Sequence, residues 1–161
     1  MDTREALLSV QLAEQRLKLP KRVTLETLRE YLVAERNRNI VIEELDDLPG
    51  NDVCGMWLAK ADWDLILHSP TRSPLHRQQI VLHEFGHMIL KHDVDGTPVR
   101  PSRTLIPNID LTTIHHVFLR RSFSDEAELA AEMLADLLAA RILSSAPNLA
   151  PEHLAFGEVF G

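Results

Sequence analysis

The sequence predicts an α+β fold: a small three-stranded sheet packed with a helix that carries His83-Glu84-Phe85-Gly86-His87 and with a second, acidic helix, after N-terminal helices. Three observations predict it. Apolar residues recur with helical spacing over 4–18, 24–36, 73–91 and 124–143. Short runs rich in β-branched and apolar residues at 39–45, 53–60 and 63–68 are bounded by turn residues and read as strands. Finally, 161 residues with 45% hydrophobic and 25% charged content suit one globular domain with a real core. The single domain spans 1–161, with 1–22 as an N-terminal helical extension and 148–161 as a C-terminal tail.

The elements follow in order. The first helix carries Leu7, Leu8, Val10, Leu12 and Leu17 among charges, and Pro20 stops it. Thr24 caps the second, whose apolar face is Leu25, Leu28, Leu32 and Val33; Tyr31 on it reads as packing. Three strands come next, the last two joined by Ala61-Asp62 in a hairpin-like link. Ser73-Pro74 starts the third helix, with Ser as cap and Pro in the first turn, and the helix runs to about Lys91. Residues 93–122 are Pro-rich and irregular, with a short helix expected over 111–119. The stretch SDEAELAAEMLADLLAARIL, from Ser124, is the strongest helix in the chain.

Composition narrows function. A net charge of −7 argues against nucleic acid as a direct partner, because tracking phosphates needs a basic surface. The lone Cys54 allows neither a disulfide framework nor a cysteine zinc site and reads as a core residue. The first residues are charged, and no apolar run approaches the ~18 residues of a membrane span. A cytoplasmic protein is expected.

The chemistry centres on His83-Glu84-Phe85-Gly86-His87, an H-E-x-x-H pattern. Residues four apart on a helix share a face, so His83 and His87 can converge on one Zn²⁺, with Glu84 beside them as general base. Gly86 inside a helix costs about 1 kcal/mol relative to Ala; close approach of another backbone, or room near the metal, would explain it, and simple tolerance is the plainer reading. His92, five residues beyond His87, rotates off the ligand face and reads as a residue favoured by the helix dipole. Either His115 or His116 could reach the site, although an exposed histidine is the simpler reading. A third ligand is required. Glu128, Glu132 and Asp136 form an acidic column on the last helix with no basic residue between them, an arrangement that calls for water or a cation. One pairing has Glu132 on the metal and Asp136 accepting from the far nitrogen of a ligand histidine; Glu128 with Glu132 has the same spacing one turn earlier. Spacing alone does not separate them.

The stretches HEFGHMILKH and EMLADLLAARIL together resemble the ImmA/IrrE family of zincin-like metallopeptidases, which pairs an H-E-x-G-H helix with a later E-x-x-A-N/D-x-F-A-A-x-L-L helix. Glu132, Ala135, Asp136, Ala139, Ala140 and Leu143 fall on that pattern; Leu138 and Ile142 depart from it mildly, and the closing Pro is displaced to Pro147. The resemblance covers roughly 25–147 and implies a minimal zincin-like domain with His83, His87 and Glu132 as zinc ligands and Glu84 as base. It further implies an endopeptidase that cleaves or displaces a helix-turn-helix repressor encoded nearby, releasing genes in mobile elements or stress circuits. The alternative is a non-proteolytic binding module or a toxin–antitoxin component that uses the same fold to hold a partner protein.

Overall fold

The computed structural model describes residues 3–46, 55–103 and 109–147. Cys54 and the tail from 148 onward lie outside the described residues. Helix α1 covers Thr3–Arg16 and α2 covers Leu25–Arg36. Thr24 caps α2 as its sequence suggested: its hydroxyl accepts from Thr27 N at 3.0 Å, and Thr27 Oγ1 accepts from Thr24 N at 2.8 Å. Strands β1 (Asn39–Glu44), β2 (Gly55–Lys60) and β3 (Trp63–His68) follow, then α3 (Pro74–Ile89), the single turn α4 (His92–Asp95), β4 (Ile114–Phe118) and α5 (Asp125–Ser145).

The sheet has four strands, not three, in the order β1-β3-β2-β4. β1 runs parallel to β3; β2 is antiparallel to both β3 and β4. The additional strand replaces the helix expected over 111–119. Only Leu111–Thr113 is helical there, as one tight turn, before the chain straightens to pair with β2. The sequence Ile114-His115-His116-Val117-Phe118 is rich in β-branched and aromatic residues, which suit a half-covered strand better than a helix. Its Val117 and Phe118 serve opposite faces of the sheet, each in a different apolar cluster.

One sheet face is the main core. Ile40, Ile66, Trp57 and Phe118 meet Leu28 and Leu32 of α2, Phe85 and Met88 of α3, and Leu134 and Leu138 of α5. Met56, Leu58, Leu65, Leu67 and Val117 on the other face are covered by Val99, Ile109 and Leu111. A buried ion cluster ties helix to sheet. Asp64 on β3 is fully buried and receives Arg36 Nη2 at 3.0 Å and Arg38 Nη2 at 3.1 Å. Arg38 also donates to the carbonyls of Lys60 at 2.8 Å and Trp63 at 2.9 Å, so one guanidinium fastens the end of α2 to the β2–β3 turn. Among the described residues no helix is long and apolar enough to cross a membrane.

Candidate metal centre

Ser73 caps α3 by accepting from His76 N at 3.2 Å, with Pro74 in the first turn, so the helix starts where the sequence placed it. Ser124 caps α5 through Ala127 N at 3.1 Å. The two helices meet at Gly86. A Cβ added there would lie 2.9 Å from the Ala131 carbonyl oxygen and 3.2 Å from its Cα. Gly86 is therefore a backbone-to-backbone contact, and its lost helix propensity is exchanged for close packing. That contact sets which residues of α5 face the histidines.

The residue it sets there is Glu128. Its Oε2 lies 2.7 Å from His87 Nε2 and its Oε1 lies 3.3 Å from His83 Nε2, while the two Nε2 atoms are 3.2 Å apart. Ligand atoms of His83, His87 and Glu128 all fall within 4.8 Å of one another, a group that could hold a metal ion. Glu128 Oε2 is buried without a hydrogen bond among the described residues, despite its short distance to His87. The atoms are close but not aligned as donor and acceptor, so proximity and not a hydrogen bond relates this oxygen to His87.

Glu132, the acid that the resemblance implies as third ligand, is not among the three residues whose ligand atoms cluster. Its Oε2 lies 3.2 Å from Nδ1 of His83, on the far side of that ring, and its side chain is 59% exposed. Glu132 thus lies beside the outer nitrogen of His83, in the place expected of Asp136, close to it but not hydrogen-bonded among the described residues. Asp136 instead accepts from Gln79 Nε2 at 2.9 Å. Glu128-Leu-Ala-Ala131 and Glu132-Met-Leu-Ala135 have the same spacing, so the sequence does not separate them, and the Gly86–Ala131 contact is one tertiary feature that does.

His92 lies outside the clustered set, as its spacing implies, but is not turned away from it. A continued helix would carry it away from His87, but α3 ends at Ile89 and Lys91 adopts a left-handed φ of 57°. The chain turns back into α4, and His92 Nδ1 comes to 2.8 Å from His87 Nδ1. Phe123 stacks on His87 at 3.9 Å between ring centroids. Glu128 likewise has an outer partner, Arg120, whose Nη1 lies 2.9 Å from its Oε1. The sequence does not mark Arg120, because it starts a single tight helical turn, Arg120–Ser122, between β4 and α5, too short to show periodicity. His115 and His116 are exposed on β4 and line a different cleft, with Arg36, Arg38 and Lys60.

His83, His87, Glu128, Glu132, Arg120 and Glu84 line one cavity of about 330 Å³, walled also by Gly55, Ile80, Leu119 and Phe123. Glu84 is buried, and a Cβ at Gly55 would stand 3.0 Å from its Oε2, so the bare glycine makes room for the carboxylate. Burial pushes the Glu84 carboxyl above its ordinary range, with His87 and His83 opposing. Burial also pushes Glu128 up, but the two imidazoles outweigh it and hold this carboxyl down at about 2. Burial lowers His83 while Glu128, Glu84 and Glu132 raise it, and the net shift is upward. Burial and His87 lower His92 to about 4, which leaves its ring neutral at pH 7. The centre thus carries an ionised carboxylate at its middle and favours positive charge around it, a role open to a proton or to a metal cation. Compared with known proteins, the chain matches no family model and no curated protein.

Proposed function

We propose that the chain is a zinc-dependent endopeptidase whose ligands are His83, His87 and Glu128. The observation that carries the reading is the convergence of two Nε2 atoms and one carboxylate on a point inside a cavity that also holds Glu84. Two imidazoles around a tetrahedral ion at about 2.0–2.1 Å stand about 3.3–3.4 Å apart, and here the separation is 3.2 Å. Two nitrogens and one oxygen form the donor set of hydrolytic zinc sites that keep a position open.

Bound there, zinc would supply a Lewis acid that polarises a peptide carbonyl and lowers the pKa of a water. The protein does the rest. Glu84, with its carboxyl already pushed up by burial, takes the proton of the attacking water and delivers it to the leaving amine. Gly55 leaves that carboxylate unobstructed. Arg120 holds Glu128 from the rim.

The sequence resemblance to ImmA/IrrE peptidases supports a protein substrate of helix-turn-helix repressor type in a nearby gene. Co-expression with that neighbour, read by fragment size, tests the proposal. Glu84→Gln should keep zinc by elemental analysis and lose cleavage by about 10²–10⁴-fold. A Glu84→Gln protein that cuts as well as wild type refutes the mechanism. Zinc retention with full derepression and no cleavage by either form moves the reading to a regulatory binding module.

A further inference from the structure

His87 and His92 meet through their Nδ1 atoms, 2.8 Å apart. Two neutral imidazoles in that contact share one proton: one ring donates and the other accepts. If His87 uses Nε2 as a metal ligand, that nitrogen must be bare, so its proton resides on Nδ1 and His92 must accept it. Ligand histidines ordinarily give this proton to a carboxylate or a carbonyl. Here the acceptor is another histidine, and the backbone is bent to supply it. Lys91, a residue with a Cβ, occupies the left-handed region at φ 57°, where non-glycine residues are uncommon. The α4 turn closes with Gly96 N donating to His92 O at 2.8 Å. Phe123 stacks on His87 with 15° between the ring planes and lies in contact distance of the Gly96 position, so the ring face and ring edge of His87 are fixed by separate neighbours.

We propose that His92 is the positioning residue of the metal centre: its Nδ1 accepts the His87 Nδ1 proton, fixing the His87 tautomer and ring direction that leave Nε2 bare toward Glu128 and His83. This rests on the reading of His83, His87 and Glu128 as metal ligands. A neutral imidazole acceptor pushes less negative charge into the ligand ring than a carboxylate would, so the metal stays a stronger Lewis acid at some cost in affinity.

The test compares wild type, His92→Leu and His92→Asn, loaded separately with Zn²⁺ and Co²⁺. The Asn side-chain oxygen can occupy the place of Nδ1 and accept the same proton; Leu cannot. Zinc affinity is measured by chelator competition, the cobalt site by its visible absorption, and the metal-free fold by circular dichroism. His92→Leu should lose about 10–100-fold in zinc affinity and shift the cobalt bands, while His92→Asn recovers most of both. Affinity within twofold of wild type and unchanged cobalt bands in His92→Leu overturn the proposal. Equal losses in Leu and Asn also overturn it, because the acceptor atom is then irrelevant. Wild type that binds neither Zn²⁺ nor Co²⁺ refutes the metal reading itself, and the proposal falls with it.

Discussion

Gly86→Ala probes the contact that sets the site. The added Cβ would lie 2.9 Å from the Ala131 carbonyl oxygen, and ordinary contact begins at 3.4 Å, so α5 must back away by about half an ångström. Backbone cannot rotate aside as a side chain can. Overpacking of this kind costs about 1–3 kcal/mol, and Ala returns about 1 kcal/mol of helix propensity. The net expectation is a loss of about 1 kcal/mol, or about 2–4 °C in Tm for a chain of this size. The metal should register the change more strongly. Glu128 travels with α5 while His83 and His87 stay on α3, and about half an ångström is the tolerance of a preorganised site. Zinc affinity should fall about tenfold. The assay is a circular dichroism melt of the metal-free protein beside a chelator competition titration. A rise of about 2–4 °C, the size set by propensity alone, together with unchanged affinity would refute the reasoning.

Two further perturbations separate roles that spacing leaves joined. Glu128→Gln should abolish tight zinc binding, whereas Glu132→Gln, removing a largely exposed carboxylate, should cost at most about 10–100-fold; elemental analysis after dialysis decides, and the reverse order restores Glu132 as ligand. Asp64→Asn leaves Arg36 and Arg38 without their buried counter-charge; because both guanidinium groups are partly exposed, a loss of about 3 kcal/mol is expected in urea unfolding, with zinc affinity unaltered, and a neutral result would show the cluster to be dispensable.

Much of the fold is written locally. Thr24, Ser73 and Ser124 each announce a helix and cap it in the structure, because a side-chain oxygen at that place satisfies an amide the helix cannot. H-E-x-x-H likewise fixes the relation of His83, Glu84 and His87 within one helix. What was illegible depends on contacts between elements. Glu128 and Glu132 repeat the same local pattern, and contacts between helices, Ala131 resting on Gly86 among them, pick between them. His92 lies beyond a helix end that no Pro or Gly marks, since Lys91 adopts the left-handed turn that glycine usually takes. β4 is hard to read as a strand from sequence because its two adjacent exposed histidines, His115 and His116, break the strict alternation that signals one.

The sheet order also bears on how the chain acquires its structure in time. The inner strands β2 and β3 are separated by only Ala61 and Asp62, so among the described residues theirs is the one local strand pairing, of the kind that closes in microseconds. β1, parallel to its neighbour, and β4, far along the chain, can add only after longer loops close. Glu128 comes later still, on a helix synthesised after all four strands. A ribosome-bound chain that has exposed α3 but not α5 presents two histidines without their carboxylate. The topology thus delays assembly of the three-residue centre until the scaffold is nearly complete, an order that pulse-labelled hydrogen exchange would reveal as amide protection in β2 and β3 before α5.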